Sequence, residues 1–289
     1  MDANTALLWP RTGLAVALAA TVGVAQAADG ELFKVCAPPY TKPMSDMDGS
    51  GYENKIAEMF AAQLGQKTSY TWFPQRMGFI RATLRNNETE DGSYKCDYVM
   101  GVVENFELAA TTRPYMRSTW AMLVRKGAGV DWLDDQDDLK QLDDAQRKQL
   151  KIGIWDQGPT TEWIYKLGLI EHATPYPMMS GDPKQSPADV VGAAMEKGDV
   201  NVSFLWGPLA GYLAKRHPDV KVIPLHEDQG VKFDFQIAMA VRHGDERRLK
   251  LLDGLIERNQ DKINELLASY GVPLLELQID EKRKDDDDD

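Results

Sequence analysis

The feature that most limits what this chain can fold into is an alternation near its start. Five runs follow one another between residues 32 and 103: "LFKVCAPP" (32–39), "GYENKIAEMFAAQLG" (51–65), "TSYTWFP" (68–74), "GFIRATLRN" (78–86) and "CDYVMGVV" (96–103). In the second run Ile56, Met59, Phe60 and Leu64 recur at helical spacing, and Gly65 follows as a stop signal. The first, third and fifth runs are short and apolar or β-branched, as buried strands are. Strand, helix, strand, helix, strand predicts a parallel sheet with crossover helices, an α/β fold.

The pattern then restarts. "STWAMLVRKG" (118–127) predicts a long strand, the acidic stretch 131–144 a polar loop or exposed helix, and "LKIGIW" (150–155) a strand followed by a helix near 160–168. "VNVSFLWGP" (200–208) leads into the helix "LAGYLAKRH"; "VKVIPL" (220–225) and "FQIAMAV" (235–241) are strands, and 246–271 is a helical pair. Two α/β units joined by two long strands predict two lobes around a cleft. The expected division is lobe 1 over 28–122, lobe 2 over 123–236, a return to lobe 1 over 237–277, and a charged tail over 278–289. In open α/β sheets ligands bind beyond the carboxyl ends of the strands. Those ends are 37–40, 73–76, 101–105, 155–160 and 205–208, which would face one another across the cleft.

Residues 12–24, "TGLAVALAATVGV", are apolar, and "AQA" at 25–27 has the small residues of a cleavage point. Residues 1–27 therefore read as a secretory signal peptide cut after Ala27. The run is shorter than the about 20 residues needed to span a bilayer. Export permits a disulfide between the two cysteines, Cys36 and Cys96, and burial as two free thiols is the alternative. Two isolated cysteines do not make a zinc site. Lys plus Arg total 33 against 45 Asp plus Glu, a formal charge of −12, which disfavours nucleic acid and anionic membranes as partners.

The stretch "SDMDGSGYENKIAEMF" (45–60) superficially matches a calcium loop, with Asp46, Asp48, Ser50 and Gly51 at suitable offsets. An EF-hand needs a preceding helix and a bidentate Glu at position 12; a proline-broken strand precedes this loop, and Ala57 occupies that position. The better reading is a strand-to-helix turn. Gly49 and Gly51 allow tight folding. A helix starting near Tyr52 would offer free N–H groups to the cleft, with Glu53 complementing its dipole. The four histidines, His172, His217, His226 and His243, lack zinc-ligand spacing, and no G-x-S-x-G, S-x-x-K or H-E-x-x-H motif occurs. Catalysis is not expected.

The stretches "KVCAPPYTKPMSDMDGSGYENKIAEMFA", "YTWFPQRMGFIRATL", "CDYVMGVVENFELAATTRPYMRSTW", "VSFLWGPLAGYLAKRHP" and "INELLASYGVP" carry a family resemblance over about residues 32–273. They resemble the periplasmic solute-binding proteins of ABC transporters. Within these they resemble the quinoprotein-dehydrogenase-associated branch, the J proteins of methanol-oxidation gene clusters (XoxJ/MxaJ type). "WFPQRMGF" favours the branch beside lanthanide-dependent enzymes. The resemblance implies a type II periplasmic binding-protein fold, with two lobes, two crossover strands and a cleft. It implies a periplasmic location and no cofactor of the chain's own. The implied partner is a periplasmic methanol dehydrogenase carrying pyrroloquinoline quinone, with its cytochrome c as a second candidate, and the implied role is to assist that enzyme's maturation or activation.

Amino-acid-binding relatives grip a carboxylate with an Arg in a "T-x-E-R" turn and an ammonium with an Asp of the second lobe. Here the turn reads "VVENFELAATTRPY", with Arg113 displaced, and Trp206 and Gly207 stand where the Asp would fall. A zwitterion would be desolvated without partners. The ligand or partner cleft is expected to comprise Tyr40, Tyr52, Glu53, Trp72, Phe73, Gln75, Arg76, Asn105, Trp155 and Trp206. The rival reading is an ABC-transporter receptor for a small organic solute other than a free amino acid.

Overall fold

The alternation that opens the sequence folds into β1 (Phe33–Ala37), a short hairpin of β2 (Tyr40–Thr41) and β3 (Ser45–Asp46), α1 (Tyr52–Gln63), β4 (Thr68–Trp72), α2 (Phe79–Ala82) and β5 (Tyr98–Val103). β1 lies between β4 and β5 and runs parallel to both. The computed structural model describes residues 31–278 apart from 88, 90, 91, 157, 178–181 and 183. The leader expected over 1–27, and the tail expected from 278 except its first residue, lie outside the described residues.

The chain continues through β6 (Ala110–Arg125), a 3-10 turn over Gln136–Lys140, α3 (Asp144–Gln149), β7 (Ile152–Trp155), α4 (Pro159–Lys166), β8 (Ala173–Tyr176) and α5 (Pro187–Lys197). It ends in β9 (Val202–Trp206), α6 (Gly207–Arg216), β10 (Val220–Pro224), β11 (Asp234–Val241), α7 (Glu246–Ser269) and β12 (Leu274–Leu275). The strand order is β4-β1-β5-β11-β6-β9-β7-β8, with β10 and β12 also paired to β6. β6 pairs with β11 along residues 110–119 and with β9 and β10 along 120–125. One continuous strand therefore belongs to both α/β halves.

Each half covers its sheet on both faces, as parallel sheets require. In the first, Phe33, Val35, Ile56, Phe60, Leu255 and Ile263 pack between the sheet and α1 and α7, while Cys36, Phe79, Ile80, Leu84 and Cys96 fill the opposite face. In the second, Ile152, Ile154, Trp163, Phe204 and Phe233 form one core and Leu123, Trp155, Val191, Leu205 and Leu213 the other. Alternate residues of β7 thus point into different cores, the period-2 signature of a strand.

Five elements differ from the sequence expectation. The strand expected from 118 begins at Ala110, because its charges are neutralised in space: Arg113 Nη1 pairs with Glu257 at 3.0 Å and Arg117 Nε with Asp234 at 2.7 Å. The helix expected over 78–86 is only four residues long; the Thr83 hydroxyl donates back to the Phe79 carbonyl at 2.7 Å where the helix ends. The helical pair expected over 246–271 is a single 24-residue helix. Its mid-point Asn259 is accommodated by hydrogen bonds to Gln63 and the Leu255 carbonyl. Helix α5 and strand β8 were not anticipated.

Cys36 and Cys96 are joined, with sulfurs 2.11 Å apart and Cα atoms 5.3 Å apart, across a sequence separation of 60. The bond ties the end of β1 to the approach to β5. Constraining a loop of that length stabilises a fold by about 4 kcal/mol in the chain-entropy account. A Cys36→Ser/Cys96→Ser variant is expected to lose about 3–4 kcal/mol in urea denaturation. An unchanged midpoint would show that the bond contributes nothing to the native state.

Candidate functional site

Two depressions on the described residues bear on the site. The larger, about 780 Å³, lies at the amino ends of the first-half strands among Lys34, Asp97, Arg242 and Arg248. Its charges are largely spent on each other: Arg242 pairs with Asp97 at 2.5 Å and Arg248 with Asp245 at 2.9 Å. Arg242 also donates to the Cys96 carbonyl at 2.7 Å and lies 4.0 Å from the Tyr94 ring. This is an ion-pair network that closes one end of the sheet. The smaller, about 230 Å³, opens at the carboxyl ends of β1 and β5, where α/β sheets bind ligands.

The smaller cavity belongs mostly to the first half. Pro38, Met44, Tyr52, Phe79, Val103, Met116 and Ile237 give it apolar walls, Gln75 and Glu53 supply polar groups, and Trp206 is the contribution of the second half. Trp206 reaches it from the end of β9, with its ring 6.0 Å from Phe235 and edge-on to it. Among its lining residues Glu53 is the one that carries a charge.

How Glu53 comes to lie there begins with the turn before α1. Gly49 adopts φ +73°, which a glycine accommodates without strain. Gly51 is required for another reason: a Cβ there would collide with the Met44 carbonyl. The carboxylates of the "SDMDGS" turn are used locally. Asp46 Oδ1 accepts from the Asp48 N–H at 3.0 Å, Asp48 Oδ1 from the Ser50 N–H at 2.8 Å, and Lys42 pairs with Asp48 at 2.6 Å.

One expectation about this turn is corrected. The first N–H groups of α1 do not face the cavity free. Tyr52 N–H donates to the Pro43 carbonyl and Glu53 N–H to the Met44 carbonyl, both at 2.9 Å. Asn54 Oδ1 accepts from Gly51 N–H at 3.2 Å and Asp46 N–H at 2.9 Å. The β2–β3 hairpin folds back over the helix end and satisfies the donors that an anion would otherwise use. What the helix presents to the cavity is instead a side chain, the Glu53 carboxyl.

Glu53 rests against Gly101 of β5. A Cβ at position 101 would collide with Glu53 Oε1 and would lie 3.7 Å from the Tyr115 hydroxyl. Tyr52 and Tyr115 are both buried, and the Tyr115 hydroxyl has no hydrogen-bond partner among the described residues. No side-chain hydrogen bond or ion pair to Glu53 occurs among the described residues either. Glu53 itself is partly exposed, its surface opening into the cavity. Loss of hydration pushes its carboxyl up to about 7. Burial, and then the nearby Glu53 charge, push the Tyr52 hydroxyl well above its usual range. Burial likewise raises Tyr115, with Tyr52 and Glu53 adding to the effect.

The ten residues expected at the cleft divide. Tyr52, Glu53, Gln75 and Trp206 meet at the cavity. Trp155 does not offer a ring face: it is 2% exposed, and its indole N–H donates to the Phe204 carbonyl at 2.6 Å. Both faces of β7 are covered, so a position at a strand's carboxyl end does not by itself reach the cleft. Trp72 stacks on Tyr70 with centroids 4.7 Å apart and packs at the edge of the first core. Arg76 lies 5.4 Å from the Phe73 ring, and Lys184 lies 5.7 Å from that of Tyr40. Asn105, at φ +61°, shapes a turn through its N–H to the Thr111 hydroxyl at 3.3 Å. Cavity residues that lay outside both that list and the expected strand ends include Met44, Phe79, Met116 and Ile237, apolar positions that carry no chemical motif. Arg113 is committed to α7, its N–H donating to Asp253 at 2.6 Å and its guanidinium pairing with Glu257.

No protein-family model matches the chain. It is 28% identical over 280 residues to Protein MoxJ of Methylorubrum extorquens, spanning 89% of this chain and 86% of that one. The crystal structure of the periplasmic binding protein XoxJ from Methylobacterium extorquens AM1 matches with a TM-score of 0.66 at 31% identity, over 85% of this chain and 100% of that one. MxaJ from Methlophaga aminisulfidivorans MPT matches with a TM-score of 0.68 at 22% identity, over 84% and 100%; at that identity it speaks for the fold. The fold is the type II periplasmic solute-binding fold that the sequence resemblance implied. No described helix is long and apolar enough to cross a membrane.

The raised Glu53 carboxyl makes a signed prediction. Its folded-state value of about 7 lies above the ordinary 4.5, so the folded chain holds the proton more tightly than the unfolded chain does. The cost of the charged form is absent below about pH 4.5 and grows as pH rises through 7. Glu53→Gln should therefore be neutral near pH 4.5 and stabilising by ~1–3 kcal/mol at pH 8 in urea denaturation, the range allowing for partial solvent access. Equal stability changes at both pH values would overturn the assignment of a desolvated, unpaired carboxylate.

Proposed function

Because the chain belongs to the MoxJ/XoxJ-like family of periplasmic binding proteins, we propose that it is a periplasmic accessory protein of methanol oxidation. In this reading it is exported, is not itself an enzyme, and binds a pyrroloquinoline-quinone-dependent methanol dehydrogenase of the lanthanide type. It assists that enzyme's maturation or activation by docking one of its segments at the cavity rim.

The observation that carries this reading is the cavity's charge inventory. A receptor for free amino acids must neutralise a carboxylate and an ammonium together. Among the described residues the cavity walls hold no cation, Arg113 is spent on α7, and Trp206 and Gly207 occupy the position expected of the second-half acid. The rim supports protein contact. Met77, between the cavity residues Gln75 and Phe79, is 95% exposed, and Val103 is 48% exposed. Flexible and apolar side chains left in water suit a protein surface that will be covered.

The test is a titration of the mature chain against the apo-dehydrogenase, read by light scattering or pull-down at low and moderate salt. Association at micromolar concentrations is expected. If the two proteins stay apart and the chain instead closes around one small solute, with a change in tryptophan fluorescence, a transport receptor is the better account.

A further inference from the structure

We propose that the Glu53 cavity is an alkylammonium site: it takes one positively charged amine head against Glu53, with the amine's alkyl stem along Met44, Met116 and Ile237. This deepens the docking reading above and rests on it only for where the amine comes from, a lysine side chain of the docked protein or a free small amine.

Three features point to this chemistry. Glu53 is the charged group of the cavity lining, and it has no hydrogen-bond or ionic partner among the described residues. A desolvated carboxylate without a counter-charge is costly, and an incoming cation removes that cost. A carboxylate ligand would add a second negative charge beside the first, and an alcohol would supply one hydrogen bond without neutralising anything. Next, the fully buried Tyr115 hydroxyl also lacks a partner among the described residues and lies over the same glycine, Gly101, as Glu53 Oε1. Gly101 keeps that space open, since any Cβ would displace the carboxyl group. Finally, the rings of Tyr52, Phe79 and Trp206 line the same cavity, and aromatic faces attract ammonium groups. The volume, about 230 Å³, lies below the usual 300–1,000 Å³ of small-molecule sites. It suits a single side chain or a small amine.

This differs from the zwitterion site of amino-acid receptors, where the ammonium partner comes from the second lobe and an arginine takes the carboxylate. Here the acid comes from the first turn of α1, and among the described residues no arginine lines the cavity.

The test has two arms. In the first, the mature chain is titrated with n-butylammonium, n-butanoate and n-butanol at pH 8, reading tryptophan fluorescence and thermal stability. Binding of butylammonium at least tenfold tighter than of the other two is expected, and loss of that preference in Glu53→Gln. The three-ligand comparison on the native chain keeps the test meaningful should the variant fold poorly. In the second arm, a zero-length carbodiimide couples carboxylates to amines in the mixture with the apo-dehydrogenase, and mass spectrometry locates the linked peptides. A Glu53–lysine link assigns the amine to the docked protein; selective butylammonium binding without such a link assigns it to a free amine. Equal binding of the three probes, or none, together with no Glu53 link, overturns the inference. If the dehydrogenase still associates in that case, the docking reading stands without it. Selective butylammonium binding with no dehydrogenase association leaves the inference standing and sinks the docking reading.

Discussion

The molecule is organised by a single hydrogen-bonded ribbon. β6 contributes residues 110–119 to the first sheet and 120–125 to the second. The switch occurs where Trp120 N–H donates to the Phe233 carbonyl at 3.1 Å and the Thr119 hydroxyl to the Leu225 carbonyl at 2.6 Å. Everything that places the cavity is indexed to this strand. Met116 comes from it directly, Ile237 lies opposite Met116 on β11, and Trp206 lies opposite Trp120 on β9. Trp206, the second-half residue described at the cavity, is therefore held in register by the same strand that supplies a wall of the first half. At the same junction Gly207 has no room for a side chain: a Cβ would sit 2.5 Å from the Thr119 carbonyl and 2.6 Å from the Ser118 hydroxyl.

A second constraint acts on α1. Its amino end is closed by backbone carbonyls of the returning hairpin, so the helix contributes a carboxylate to the cavity and not a set of N–H donors. This reverses the sign of the site. A bare helix end attracts anions, whereas a carboxyl group in an apolar cavity with no cation among its described lining residues attracts protons and cations. The hairpin, the tight contact at Gly51 and the contact between Glu53 and Gly101 act together, and none of them has a side-chain motif of its own.

How far the sequence exposed this architecture depended on how local each signal was. The helical spacing of Ile56, Met59, Phe60 and Leu64 and the apolar runs of β1, β5, β7 and β9 are local, and they placed the elements correctly. α5 carried legible signals that went unread: Ser186 caps it through the Asp189 N–H, Pro187 opens it, and Gly198 ends it at φ +75°. The first half of β6 was hidden because Arg113, Pro114 and Arg117 look like loop residues until Glu257 and Asp234 are seen beside them. α7 runs as one helix through Gly254 and Asn259, and the Gln63 amide that accommodates Asn259 lies 196 residues away in sequence, beyond any local signal. At the site, Tyr52, Glu53, Gln75 and Trp206 were legible as strand-end or helix-start positions. Trp155 satisfied the same rule and failed, because the rule locates a backbone position and says nothing of which core the ring enters.

The presence of an unpaired Glu53 in such a place is itself an argument about function. A glutamine there would keep the shape without the desolvation cost, and the remainder of this acidic chain carries its carboxylates exposed or paired with Lys and Arg in many cases. Stability is given up where a site must meet something not yet present. A cation in the free protein would have neutralised Glu53 internally, as Glu257 neutralises Arg113 on the outside of β6. Its absence from the lining leaves the neutralising charge to be supplied by whatever enters the cavity, and couples that entry to the protonation state of one side chain.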